Sequence, residues 1–214
     1  MHVLIPIKRL ETCKQRLSGV LDAGQRRALM LALLGDVLAC AFAAPSASAV
    51  AVVTDDPAAA ATAREAGAGV LSDGGLPWNE GLVHALGLLS GAPSGVLFLS
   101  ADLPTVSTDD VEAMIASCPP RGIAIGRAND AGTNALALRP PDVLVPSFGA
   151  PRSSAVHAAL AAAAGVAAVF VDRPGLALDL DTPSDLADAL AAPAGGARSW
   201  RTIVHHPAAE ASRC

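Results

Sequence analysis

GVLFLSADLP, Gly95–Pro104, decides the fold. A strand with one wet face alternates apolar and polar residues, whereas one covered on both faces is apolar throughout. GVLFLS is of the second kind and predicts a doubly covered strand from Gly95 to Ser100, with the chain leaving the sheet at ADLP. Shorter runs of the same texture predict strands over His2–Ile7, Ala49–Thr54, Val70–Leu71 and Val166–Asp172. Helical stretches intervene: Asp22–Ala43 with Leu29, Leu33 and Val37 on one face, one starting at Pro57, Trp78–Leu89, Thr108–Ser117 capped by Thr108, Ser153–Ala164 and Pro183–Leu190. Ile123–Gly126 and Ala135–Arg139 read as strands around the polar loop RANDAGTN. The pattern is α/β, a mainly parallel sheet flanked by helices on both faces.

With 214 residues, the chain suits one domain. We place it at 1–192, followed by a loosely attached tail, 193–214, in which Trp200–Val204 docks. Hydrophobic residues make up 52 % and aromatics 3 %, with no Tyr, so the core is built of Ala, Val and Leu. A net charge of -5 offers nucleic acid or an anionic membrane no general attraction, and any phosphate site must be a local basic cluster. Ser153–Val171 is uncharged and approaches spanning length. His157, Gly165 and the change from Ala-rich to Val-rich texture divide it into helix, turn and strand, so no membrane span is expected. In MHVLIPIKRL the basic residues follow the apolar run, the reverse of a secretory signal, and a cytoplasmic protein is expected. Cys13, Cys40, Cys118 and Cys214 show no metal-like spacing and read as reduced thiols.

Ligands of open parallel sheets bind beyond the carboxyl ends of the strands. Three polar stretches lie in such positions. KRLETCKQRL groups Lys8, Arg9, Lys14 and Arg16; ADLP carries Asp102; LDLDTP, from Leu178 to Pro183, carries Asp179 and Asp181. Each has a plain structural reading: a solvated basic face, a turn aspartate, and a cap supplied by Thr182 or Asp181. That cap leaves Asp179 without a role. Together the three fit one chemistry, a nucleoside triphosphate held by cations with a divalent ion on a few carboxylates. GxxxxGK[ST] and GxGxxG are both absent, which excludes a P-loop and gives no support to a dinucleotide site.

IPIKRLETCKQRL, VVTDD, WNEGLVHAL, LFLSADLP, DAGTNALAL, SFGAPRSSAVH and LDLDTPSDL occur in this order. Over Val3 to Leu190 the series resembles the 2-phospho-L-lactate or phosphoenolpyruvate guanylyltransferase family of coenzyme F420 biosynthesis. The resemblance implies a single-domain nucleotidyltransferase of the nucleotide-diphospho-sugar transferase type, with a small antiparallel excursion in its sheet. It implies transfer of GMP from GTP to the phosphate of a small three-carbon acid, releasing pyrophosphate. The acceptor would be 2-phospho-L-lactate, phosphoenolpyruvate or 3-phospho-D-glycerate, and a transferase acting on a deazaflavin would consume the product. By the same resemblance Asp102 and Asp179 hold Mg2+, with Asp181 as second ligand or orienter. Lys14, with Lys8 and Arg16, contacts the triphosphate; Lys14, Arg16, Asp102 and Asp179 form the catalytic set. The backbone of Ile5, Pro6 and Ile7 and the loop before Trp78, with Asn79, hold guanine and ribose. Thr133, Asn134, Gly149, Ser153 and Ser154 cradle the acceptor.

Plain readings stand beside these. Asn134 fits a turn, Gly149 a positive φ, and the serines a helix cap, although a helix N-terminus is itself an anion site. His157 reads as a packed residue, and Arg152 adds a cation beside the acceptor pocket. Three other functions stay open: a nucleotidyltransferase using CTP or a sugar phosphate, a metal-dependent glycosyltransferase using Asp179-Leu180-Asp181, and a non-catalytic nucleotide-sensing domain. The missing LAxGxGxR start disfavours sugar nucleotidyltransfer, and the two carboxylate sites disfavour the last. Oligomeric state is left open, a homodimer included.

Overall fold

A computed structural model describes residues 1–91, 93–192 and 198–205. Its strands are β1 (His2–Pro6), β2 (Ala49–Val53), β3 (Gly69–Leu71), β4 (Val96–Leu99), β5 (Gly122–Arg127), β6 (Thr133–Arg139) and β7 (Ala167–Val171). They form one sheet in the order β3-β2-β1-β4-β6-β5-β7. All neighbours are parallel except that β6 runs antiparallel to both β4 and β5. The double cover expected for β4 is present: Leu97 and Leu99 enter one apolar cluster, Val96 and Phe98 the other. Helices α1 (Ala23–Ala43), α2 (Pro57–Glu65) and α4 (Thr108–Ser117) contribute Leu33, Ala59 and Val111 to the first cluster. Helices α3 (Trp78–Gly87) and α5 (Ser153–Ala163) contribute Leu82 and Ala161 to the second. Three short helices follow: α6 (Pro174–Ala177), α7 (Pro183–Ala191) and α8 (Trp200–His205).

Local chemistry explains most helix starts. Asp22 accepts from the Gln25 N–H while the Gln25 amide oxygen accepts from the Asp22 N–H, a capping box that begins α1. The cap of α4 is Ser107 rather than the expected Thr108. A box needs its acid three residues after the cap, and Asp110 stands at that distance from Ser107. Ser153–Val171 divides into α5, a left-handed turn at Gly165 (φ +66°) and β7, and no helix among the described residues is long and apolar enough to cross a membrane. Of the expected tail, 193–197 and 206–214 lie outside the described residues. Trp200, at the start of α8, is fully buried and its Nε1–H donates to the Pro104 carbonyl at 3.1 Å.

β1 lies between β2 and β4, so successive crossovers leave it toward opposite edges. The crevice at the carboxyl ends of β1 and β4 is the switch point at which such sheets bind ligands.

Candidate active site

The loop leaving β1 is pinned from both sides. The Leu10 N–H donates to Asp56 Oδ2 at 2.9 Å, and Asp56 Oδ1 accepts from the Ala58 and Ala59 N–H groups at the start of α2. Burial opposes ionisation of Asp56, but these donors outweigh it and hold the carboxyl below its ordinary range. On the other side Arg26 donates to the Leu21 and Cys13 carbonyls. Between the pins Lys14 adopts a left-handed backbone, φ 49° and ψ 43°, which costs a non-glycine residue about 1 kcal/mol. Its ammonium reaches Asp102 Oδ2 at 2.5 Å and Asp181 Oδ1 at 2.6 Å. Burial alone would lower the Lys14 pKa, but the two carboxylates outweigh it and raise the pKa above its ordinary value.

Asp102 follows β4, while Asp179 and Asp181 lie between α6 and α7. The two segments are stitched by the Leu180 N–H donating to the Asp102 carbonyl at 3.1 Å. Thr182 caps α7: its hydroxyl accepts from the Asp185 N–H, and Asp185 Oδ2 accepts in return. The cap therefore needs no carboxylate from Asp181, which is turned to Lys14. Asn134 donates to Asp179 Oδ1 at 3.3 Å and to the Leu176 carbonyl at 2.9 Å. Burial first, and then the charges of Asp102 and Asp181, push the Asp179 carboxyl above its ordinary range against the opposing Asn134 contact. Two carboxylates thus share one ammonium, and the third, Asp179, lies close enough to feel their charge. Among the described residues no group of three His, Cys, Asp or Glu side chains is arranged to hold a metal ion. A pair of mutually repelling, partly buried carboxylates nevertheless fits Mg2+, which takes one or two carboxylates and fills its octahedron with water and phosphate oxygens.

One cleft at this junction is lined by Pro6, Ile7, Lys8, Lys14, Trp78 and Asp102, among others. Ile5 does not line it; it is fully buried in β1, paired with Val52. Arg16 is exposed on a 3-10 turn, Gln15–Leu17, away from the cleft wall. The Lys8 ammonium donates to Asp73 Oδ2 and to the Leu76 carbonyl, both at 2.8 Å, and stands 5.7 Å from the Trp78 ring centroid. Its charge therefore fastens the loop before α3. The Asn79 amide exchanges two hydrogen bonds with the Phe148 backbone, at 2.8 and 3.0 Å, and so holds the Phe148-Gly149 turn. Asp73 escaped the sequence reading, although it follows β3 as Asp102 follows β4.

A second cleft is lined by Thr133, Asn134, Gly149, Arg152, Ser153 and Asp179, among others. Gly149 has φ +80°, a backbone that glycine adopts freely. Ser154 does not line this cleft; its hydroxyl donates to the Ala131 carbonyl at 2.8 Å. From the cleft wall inward Ser153, Thr133 and His157 are hydrogen-bonded in series, and His157 is completely buried. Burial pushes its pKa down to about 4, so the ring is neutral at physiological pH. Asp102 and Asp181 line the first cleft and Asp179 the second, which places the carboxylates where the two meet.

The family described as guanylyl transferase CofC like matches residues 1–197. Phosphoenolpyruvate guanylyltransferase of Sphaerobacter thermophilus is 43 % identical over 188 residues, covering 86 % of this chain and 89 % of its own. That of Conexibacter woesei is 37 % identical over 216 residues, covering 94 % of each. A solved structure from Desulfovibrio desulfuricans G20, provisionally described as a nucleotide-diphospho-sugar transferase, matches with a TM-score of 0.72 at 18 % identity, covering 87 % of this chain and 85 % of that one. CMP:2-keto-3-deoxy-manno-octonic acid synthetase, solved with CTP, matches with a TM-score of 0.59 at 16 % identity, covering 87 % and 95 %. Likeness at such identities speaks for the fold, a nucleotide-diphospho-sugar transferase-like sheet. The sequence match to the curated relatives speaks for the enzyme class. The chain is a nucleotidyltransferase and belongs to the guanylyl transferase CofC-like family.

Proposed function

We propose that this enzyme transfers GMP from GTP to the phosphate of a small three-carbon acid in coenzyme F420 biosynthesis. Phosphoenolpyruvate, the acid named for the relatives, is the first acceptor to test, ahead of 2-phospho-L-lactate and 3-phospho-D-glycerate. The observation that carries the reading is the junction itself, where Lys14, Asp102 and Asp181 face one cleft and Asp179 faces the next. A phosphate oxygen of the acceptor attacks the α-phosphorus of GTP as the bond to pyrophosphate breaks. That phosphate is ionised at neutral pH, so no general base is required, and the buried neutral His157 is not one. Lys14 neutralises charge on the departing pyrophosphate, while the N-terminus of α5 and the Thr133 and Ser153 hydroxyls bind the acceptor. Asp102 and Asp179, with Asp181 as further ligand, would hold Mg2+, which when bound neutralises phosphate charge. The mixed diphosphate formed is a substrate for a transferase acting on a deazaflavin. Pyrophosphate release in the presence of phosphoenolpyruvate and Mg2+ tests the nucleotide: GTP should be strongly preferred over CTP and ATP. Equal rates with CTP would refute the guanylyl assignment.

A further inference from the structure

We infer that His157 is a positioning residue for the acceptor, because its ring, held as the Nδ1–H tautomer, frees one hydroxyl hydrogen of the Thr133–Ser153 pair for an anionic oxygen. The inference rests on the guanylyltransferase reading above. The Ser147 N–H donates to His157 Nε2 at 2.9 Å, so that nitrogen presents a lone pair. A neutral imidazole has one donor and one acceptor nitrogen, and the ring is neutral in its fully buried setting. Its proton is therefore on Nδ1, which donates to Thr133 Oγ1 at 3.0 Å.

The hydroxyls of Thr133 and Ser153 are 3.1 Å apart and share one hydrogen bond. Two hydroxyls own two hydrogens. One lies between them, whichever residue donates, and His157 accepts neither. One hydrogen is left over, and both residues line the second cleft, beside Gly149 and Asp179. In the opposite tautomer Nδ1 would take the Thr133 hydrogen, Ser153 would donate to Thr133, and none would remain. A backbone N–H on one side of the ring thus sets a donor on the other. Such a donor suits a phosphate or carboxylate oxygen, because hydrogen bonds to anions are the strong ones, and it sits at the N-terminus of α5.

Two variants separate positioning from packing. His157→Gln keeps an acceptor for the Ser147 N–H and gives nothing to Thr133; His157→Asn carries an amide N–H at the Nδ1 position. His157→Gln should raise the acceptor KM by about tenfold or more and leave the GTP KM and kcat near the wild-type values, and His157→Asn should recover most of the loss. An unchanged acceptor KM in His157→Gln, or an equal loss in both variants, would overturn the inference. Long-range 1H–15N correlation of the wild-type protein reads the tautomer directly: Nδ1–H is expected, and Nε2–H would overturn the inference even if GMP transfer is intact. Absence of GMP transfer by a wild-type protein carrying Nδ1–H His157 would instead overturn the guanylyltransferase reading, and with it the acceptor's place in this site.

Discussion

Replacing Lys14 by Met keeps the length and apolar stem of the side chain and removes the cation that bridges Asp102 and Asp181. Breaking a buried ion pair by deleting one partner costs about 3–5 kcal/mol, and an exposed pair is worth about 0–1 kcal/mol. The Lys14 side chain is 6 % exposed, Asp102 23 % and Asp181 42 %, so water screens part of the orphaned charge. The loss expected is therefore intermediate, about 2–3 kcal/mol. In a domain of this size each kcal/mol moves Tm by about 2–4 °C, so a fall of about 4–12 °C is predicted. Urea and thermal unfolding without divalent ions measure it. Millimolar Mg2+ should then recover more stability in the variant than in the wild type, because Asp102 and Asp181 are left without their counter-charge and a ligand of the folded state stabilises it by mass action. GMP transfer should be lost. A variant as stable as the wild type without divalent ions would refute the bridging role of Lys14.

Asp179→Asn should stabilise the protein at neutral pH while abolishing GMP transfer. The Asp179 pKa is raised in the fold, so its ionisation costs stability as pH rises from the ordinary Asp value of about 3.8 through the raised one, and the gain from Asn should vanish below that window. Urea denaturation at two pH values measures this, and a destabilised variant would contradict it. His157 works in the opposite sense. Its pKa falls from 6.5 to about 4, so its contribution is whole above about pH 6.5 and fades as pH falls toward 4. At about 1.4 kcal/mol per pH unit, the wild type should lose about 3 kcal/mol more than His157→Gln between pH 7 and 4. Trp200→Ala should cost about 3–5 kcal/mol and reduce transfer, because the Pro104 carbonyl beside the Asp102 loop loses its donor. An unchanged denaturation midpoint would show that α8 is not docked.

What the sequence made legible follows from how local each cause is. The uninterrupted apolar run of β4 carries its own double burial, and Pro57 and Thr182 carry the starts of α2 and α7. Asp102 and Lys14 stand out because polar residues in the loops after strands mark the ligand edge of such a sheet, and Asp179 because the cap of α7 leaves it without a role. Nonlocal pairings were not visible. Nothing near Lys8 in the chain shows that Asp73, 65 residues away, pairs with it. Asn79 reads as a nucleotide contact until Phe148, 69 residues away, takes both ends of its amide. β6 starts at Thr133 rather than Ala135, because pairing with Arg127 across a bulge extends it. That extension brings Thr133 into reach of His157, a residue whose periodicity marks it only as packed. The split between Asp181 and Thr182 needed the observed capping box, since either side chain can cap a helix.

The central claim is the bond made. 31P NMR of the wild-type protein with GTP, phosphoenolpyruvate and Mg2+ should show the GTP signals replaced by free pyrophosphate and a new mixed diphosphate joining GMP to the acid. Persistence of GTP and phosphoenolpyruvate, or conversion of GTP to GDP and inorganic phosphate alone, would contradict it.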